Sequence, residues 1–238
     1  MRNTLAIASR ELTSFFYSPI AYVVTCLFML LAGFFFLTVT FQPDQPAELR
    51  QLFTVIVWIL IAVVPAISMR LMSEELRSGT IEPLMTSPVS DLQVIAGKWL
   101  GSLAFFILML VPTIAYVIII EIHADPDYGP ILSGYTGLIL VGGLYLAIGS
   151  FASTLTRNQI IAFILTVFTI LIFTIAAALA PRFLPNSLAP VASYLNVNRQ
   201  YDDFSKGLID ISNIVYFLSA IAFFLTLAVK ALESRKWR

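Results

Sequence analysis

The chain has 238 residues, of which 59% are hydrophobic and only 12% are charged, whereas roughly a quarter of the residues of a typical soluble domain are charged. A soluble fold of this length cannot bury so much apolar surface, so the composition indicates an integral membrane protein. The formal net charge is zero, which gives no electrostatic basis for nucleic-acid binding.

The N-terminal residues mix apolar and polar side chains at helical spacing. Leu5, Ile7, Leu12 and Phe15 are apolar, and Arg10 lies among them. This pattern predicts an amphipathic helix in the membrane interface, although an early start of the first span is an alternative. The Ser-Pro pair at 18–19 then predicts a corner into the bilayer.

Six apolar runs follow, and each is long enough to cross the roughly 30 Å hydrocarbon core as a helix. They cover residues 20–40, 52–69, 100–120, 135–155, 160–180 and 212–229. The first run is too long for a signal sequence and lacks a small-x-small cleavage site, so we predict a retained span. Residues 1–238 are therefore predicted to form one all-α transmembrane domain.

Basic residues are unevenly shared between the two sides of this topology. Ten of the 14 Lys and Arg residues fall on the side of the termini, and four fall on the opposite side. The positive-inside rule therefore predicts cytoplasmic N- and C-termini. Pro65 in the second span and Pro112 in the third predict helix kinks.

The loop between the fifth and sixth spans, residues 181–210, is unusually apolar for a solvated segment. Three prolines interrupt its first part. We predict short re-entrant helices that fold back onto the outer leaflet. They form either an external lid or a docked loop without a gating role.

The connection between the second and third spans contains a series of helix signals. The second span is predicted to continue as a helix over 69–77, and Gly79 can end it. Thr80 is a candidate N-cap of a short helix over 80–87, which Pro88 stops. Ser90 and Gln93 then have the spacing of a capping box that opens the third span.

Ile81, Leu84 and Met85 give this short helix an apolar surface beside Glu82. Exposed apolar clusters usually mark a contact. Two interpretations are open on physical grounds: a soluble partner seats the helix in a groove, or the helix packs on its own membrane domain.

The segment SGTIEPLMTSPVSDLQVIAGKWLG resembles the coupling helix of type-2 ABC exporter permeases. Six residues match the family pattern, and a Gly-Lys pair at 97–98 follows, as is common in the family. The six are Gly79, Thr80, Ile81, Glu82, Leu84 and Pro88. RELTSFFYSP at 10–19 and STLTRNQIIA at 153–162 are similar to other parts of the family. The ending at 204–237 resembles the gliding-motility-associated subgroup.

This resemblance implies a permease without a cofactor of its own in the bacterial inner membrane. ATP and Mg would be bound by a separate ABC-type ATP-binding subunit, present in two copies, and a second permease chain, identical or related, would complete the exporter. The residues implied to contact the ATP-binding subunit are Gly79, Thr80, Ile81, Glu82, Leu84, Met85 and Pro88.

Enzymatic alternatives have little support in the sequence. The Gly-Lys pair at 97–98 lacks the glycine spacing and the Ser or Thr of a P-loop. An intramembrane serine protease would need Ser150 near His123, but the topology puts them at opposite ends of their spans. A proton-coupled carrier would need ionisable residues near mid-membrane, whereas Lys98, Glu121 and Lys230 fall at span ends, where they can reach the interface.

The remaining points concern the function, the glycines of the fourth span, Cys26 and the substrate. A non-transporting scaffold that transmits force or a signal to a periplasmic accessory protein has the same architecture. Gly142, Gly143 and Gly149 in the fourth span serve either a dimer seam or intramolecular packing. Cys26 is interpreted as a packing residue. The substrate is not defined by the sequence, and lipid, drug, polysaccharide and peptide all fit.

Overall fold

Helices make up the secondary structure of the described part of the chain. The structure is a computed structural model that describes residues 2–40, 48–80, 89–124, 126–179, 183, 185 and 189–235. The α-helices are α1 (Arg2–Phe16), α2 (Pro19–Phe35), α3 (Arg50–Ser68), α4 (Ser73–Ser78), α5 (Asp91–Leu110), α6 (Ile114–His123), α7 (Tyr128–Leu155), α8 (Gln159–Leu171), α9 (Ala177–Leu179), α10 (Ala189–Tyr194), α11 (Val197–Ser205) and α12 (Ile211–Arg235). Shorter segments extend three of them: the π-helical Phe36–Thr40 follows α2, the 3-10 turn Val111–Thr113 joins α5 to α6, and the π-helical Ile172–Ala176 joins α8 to α9.

Six helical stretches among the described residues are long and apolar enough to cross a membrane. They are Pro19–Thr40, Arg50–Ser78, Asp91–His123, Tyr128–Leu155, Gln159–Leu179 and Ile211–Ser234. The predicted all-α fold with six spans is therefore confirmed. An even number of spans returns the chain to its starting side, which we call the termini side; the other is the opposite side.

Helix α7 lies at the centre of the bundle. It packs against α3, α5, α8, α11 and α12, and most of its side chains are buried. Two of its glycines permit this close packing: Gly142 lies against the ring of Phe106, and Gly149 lies against the side chain of Ser68. A methyl group at either position would overlap these neighbours. Gly143 also faces side chains of its own chain, so the structure favours the intramolecular role of the three glycines.

The second span does not continue as one unbroken helix, and our prediction over 69–77 was wrong in this respect. Helix α3 ends at Ser68, a turn occupies residues 69–72, and α4 begins at Ser73. The two predicted prolines also differ in effect. Pro65 lies inside a continuous α3, whereas Pro112 occupies the 3-10 turn that separates α5 from α6.

Helix α1 runs along α5 before the chain turns into the first span. Ser18 adopts an extended backbone at the N-cap of α2, and Pro19 occupies the first turn, where its missing N–H costs no hydrogen bond. The corner that the sequence predicts at this point is therefore present.

On the opposite side, α10 and α11 are two of the short helices predicted within 181–210. Val197, Tyr201 and Phe204 of α11 are buried, and the helix packs on α7 and α3. The hydroxyl of Ser133 in α7 donates a hydrogen bond of 2.7 Å to the carbonyl of Phe204. This part of the loop therefore covers the end of the bundle.

Candidate functional site

The site is built on the contact between α1 and α5 at the termini side. Gly97 and Gly101 are four residues apart and so lie on one face of α5. A Cβ atom at Gly97 would lie 2.8 Å from the Cβ of Ile7, and one at Gly101 would lie 2.7 Å from the carbonyl oxygen of Ala8. The two glycines therefore let the backbone of α1 approach α5 closely.

A buried ionic cluster joins three helices beside this contact. The ammonium group of Lys98 in α5 lies 2.9 Å from a carboxylate oxygen of Glu11 in α1 and 2.9 Å from one of Glu75 in α4. The side chain of Lys98 is only 7% exposed. The sequence prediction puts Lys98 at a span end from which it can reach the interface; in the structure, α1 and α4 enclose it there and supply two counter-charges. We call Lys98, Glu11 and Glu75 the ionic cluster.

A second contact, which we call the apolar cluster, connects α4 and α5 to the last helix. It contains six buried side chains, from the end of the second span, the start of α5 and the last turns of α12. They are Met72, Leu76, Ile95, Ala228, Val229 and Leu232. Helices α4, α5 and α12 therefore hold together at the termini side.

The segment between α4 and α5 has a defined helix end before it and a defined helix start after it. Gly79 ends α4 with φ of 74°, a left-handed conformation that favours glycine. The hydroxyls of Ser78 and Thr80 lie 2.9 Å apart and are hydrogen-bonded. At the return point, the Ser90 hydroxyl accepts from the Gln93 backbone N–H and the Gln93 side chain accepts from the Ser90 N–H, which is the predicted capping box.

A match to a protein-family model identifies the family of the chain. Residues 43–230 match the model of the family described as ABC-2 family transporter protein. The chain is an ABC-2 family transporter protein. The match includes the second to fifth spans, most of the sixth and the segment between α4 and α5, and it begins after the first span.

Membership makes this ABC-2 protein a multi-pass permease subunit of an ABC transporter, working with a separate ATP-binding subunit. The resemblance that the sequence showed to type-2 ABC permeases is thereby confirmed. None of the curated proteins compared with the chain matches it.

The predicted coupling residues of the ABC-2 protein fall into two groups. Gly79 and Thr80 are exposed at the end of α4. The others lie outside the described residues: Ile81, Glu82, Leu84, Met85 and Pro88. The predicted helix over 80–87 therefore stays a prediction, and the structure defines only the frame that holds it.

The ionic cluster was not predicted as a unit, although each member was visible in the sequence. Glu11 lies among the apolar residues of α1, and Lys98 stands between the two glycines of Gly-Lys-Trp-Leu-Gly. An acidic residue on an apolar helix face, together with a lysine in a G-x-x-x-G segment, was the signal that would have suggested the pair.

The serine protease arrangement is not present in the ABC-2 protein. Ser150 lies 22 residues after the first residue of α7, which is about 33 Å along a helix. His123 ends α6 on the opposite side, and the hydroxyl of Ser150 donates to the carbonyl of Leu146. Among the described residues, no group of three or more His, Cys, Asp or Glu side chains has the arrangement of a metal site.

The opposite side of the ABC-2 protein carries a cavity of about 310 Å³, lined in part by Thr54, Asn196 and Asp202. Asp202 pairs with Lys206 and lies 3.6 Å from Arg50 at the start of α3. Burial alone would raise the pKa of Asp202, but the hydrogen bonds and positive charges of Lys206 and Arg50 outweigh burial and leave the pKa below its ordinary value. The contact with Arg50 connects α11 to the second span, whereas the pair with Lys206 lies within the end of α11.

Proposed function

We propose that residues 79–88 dock into a groove of the ATP-binding subunit and transmit its movements to the spans of an exporter. The observation that carries this proposal is the frame around the segment. Its first end follows α4, which the ionic cluster and the apolar cluster hold, and its second end opens directly into the third span. A push on the segment would therefore act on fixed helix ends.

In the proposed assembly, two ATP-binding subunits bind ATP and Mg and contact two permease chains, identical or related, in a bacterial inner membrane. The distribution of Lys and Arg supports cytoplasmic placement of the termini side, where the ATP-binding subunits would bind. Closure of these subunits on ATP would then rock the spans between inward- and outward-open arrangements. The similarity to gliding-motility permeases stays a prediction.

The ionic cluster supplies one path for this movement. Lys98 belongs to the third span, Glu75 to α4 and Glu11 to α1, so displacement of α4 acts on the other two helices through buried opposite charges. The apolar cluster supplies a second path from α4 to α12. On the opposite side, α10 and α11 would form a lid that opens when the spans move apart.

The test is co-purification with the ATP-binding subunit encoded for the same transporter. We expect the wild-type chain to retain this subunit and Glu82→Arg to lose it, because charge reversal on the docking segment opposes the contact. Glu121→Arg, an exposed residue at the far end of the third span, is the matched control and should retain it. Equal retention by both variants would exclude residues 79–88 as the docking segment.

A further inference from the structure

A polar cleft lies where α1, the corner into the first span and the end of the second span meet. Its volume is about 470 Å³. Tyr17 and Ser18 immediately precede the first span, and Arg70 follows the last residue of α3 by two positions, so the cleft lies at the membrane boundary. Arg10 and Glu74 also line it. We call it the interfacial cleft.

Arg70 connects this cleft to an apolar groove on its membrane side. The guanidinium of Arg70 lies 4.3 Å from the centre of the Phe15 ring and donates a hydrogen bond of 3.5 Å to the hydroxyl of Ser14. The groove beyond it is lined by Arg70 itself and by apolar side chains of α1, α2 and α3. These include Phe15, Ile20, Ala21, Val24 and Ile67. A polar compartment at the boundary thus continues into an apolar one within the bilayer.

The charges in the cleft divide into two sets. Lys98, Glu11 and Glu75 pair with one another in the ionic cluster at its buried end. Arg10, Arg70 and Glu74 line its open part, and none of these three forms a salt bridge with another described residue. Two guanidinium groups match a phosphate, and a neighbouring carboxylate matches an ammonium group.

We propose that the interfacial cleft binds a glycerophospholipid whose headgroup carries a phosphate and a primary ammonium group, as in phosphatidylethanolamine. Arg10 and Arg70 contact the phosphate, and Glu74 accepts hydrogen bonds from the ammonium group. Its acyl chains lie in the bilayer beside the exposed side chain of Ile20, because the groove next to Phe15 has room for only about 10 Å³. The bound lipid lies between α1 and the second span, next to the ionic cluster, and so stabilises the position of α1.

The position of the cleft favours a lipid over a free phosphate ion. Interfacial arginines commonly extend to the headgroup level of the bilayer, and the cleft adjoins exposed apolar side chains of the first span, such as Ile20 and Val23, beside which lipid chains can lie. Free phosphate lacks both the ammonium group and these chains.

The experiment uses the purified, delipidated full chain in detergent and native mass spectrometry. Phosphatidylethanolamine, phosphatidylcholine and phosphatidylglycerol with identical acyl chains are titrated separately. We expect wild type to bind one phosphatidylethanolamine about tenfold more tightly than the other two lipids. Arg10→Gln and Arg70→Gln should each weaken the binding of all three lipids, because the phosphate is common to them. Glu74→Gln should lose the preference for phosphatidylethanolamine, because Glu74 contacts the ammonium group. Arg157→Gln, which changes an exposed arginine on the same side outside the cleft, should keep it.

Arg10 provides the decisive variant, because its side chain is exposed and its loss should not change the unfolding temperature of lipid-free protein. Equal affinity for the three lipids, unchanged binding by both arginine variants, or displacement of the lipid by equimolar inorganic phosphate would each overturn the proposal. The ATP-binding subunit is absent from this assay, so its outcome is independent of the co-purification test.

Discussion

The ammonium group of Lys98 lies 2.9 Å from the carboxylate of Glu11, although 87 residues separate them in the chain. The contact exists because two glycines of α5 bring the backbone of α1 close, and Glu75 closes the cluster from the other side. One lysine thus fixes the N-terminal helix, the end of the second span and the start of the third relative to one another.

Removal of the lysine charge should strongly destabilise the protein. Lys98→Met leaves two buried carboxylates without a cation, and loss of one partner of a buried ion pair typically costs about 3–5 kcal/mol. We expect a clear fall in the unfolding temperature, measured by tryptophan fluorescence in detergent. Arg77→Gln, on the exposed side of α4 and outside the interfacial cleft, should change the free energy of unfolding by less than about 0.5 kcal/mol.

A triple variant separates the charge effect from the loss of packing. Lys98→Met combined with Glu11→Gln and Glu75→Gln contains no unpaired buried charge, so most of the lost stability should return. If the triple variant were no more stable than Lys98→Met alone, the ionic cluster would not account for the loss.

The approach of α1 to α5 should depend on the absence of a side chain at Gly101. In Gly101→Ala, the new Cβ would lie 2.7 Å from the carbonyl oxygen of Ala8, so the backbone must shift at a cost of about 1–3 kcal/mol. We expect a lower unfolding temperature and faster trypsin cleavage after Arg10.

Gly143→Ala is the matched control for that variant. Its added methyl group would meet the nearest atom, on the side chain of Ile221, at 3.4 Å, which is an ordinary van der Waals contact. Equal effects of the two substitutions on unfolding and cleavage would contradict the close approach of α1.

The left-handed first residue of the docking segment, Gly79, should control affinity for the ATP-binding subunit. Gly79→Val forces a β-branched residue into this conformation, which costs roughly 1–2 kcal/mol, and should weaken binding about tenfold. Gly79→Asn should bind nearly as wild type, because Asn tolerates the conformation. No atom of the described residues lies within 4 Å of the added Cβ, so a clash within that part of the chain does not account for a difference between the variants in a binding titration.

The attachment of α11 to the second span should weaken in acid. The pKa of Asp202 is lowered in the folded protein, so its pairs with Lys206 and Arg50 contribute fully above the ordinary value of 3.8. The contribution is lost as pH falls through the lower folded pKa. Its size is small because these partly exposed pairs are screened by solvent.

Thermal unfolding of wild type and Asp202→Asn at a series of pH values measures this contribution. Wild type should be more stable at pH 6, and the two curves should converge in acid as Asp202 becomes neutral. Asp210→Asn serves as the control for another acidic residue on the same side. A stability difference for Asp202→Asn that did not change with pH would exclude the charge as its cause.

The sequence was sufficient for the features that depend on local chemistry. The six spans follow from length and hydropathy, because a helix in lipid must satisfy its own backbone. The capping box at Ser90 and the helix end at Gly79 follow from residue types at fixed spacing. The family was also recognisable, because its pattern at 79–98 combines several independent residues.

Features that depend on contacts between distant segments could not be predicted. Lys98 stands at the end of an apolar run, and only the docking of α1 shows that it is buried. The π-helical turns at Phe36–Thr40 and Ile172–Ala176 contain neither Pro nor Gly to mark them. The turn at residues 69–72 also contains neither Pro nor Gly, so the sequence gives no local signal that α3 ends there.

The central position of α7 has a consequence for biogenesis. This helix is the fourth span to leave the ribosome, yet its most extensive partner is α12, which is made last. Until α12 arrives, the face of α7 that α12 covers in the folded protein must be covered by lipid, an insertase or another temporary partner. A nascent chain arrested before residue 211 should therefore engage such membrane-integration factors for longer than the completed chain.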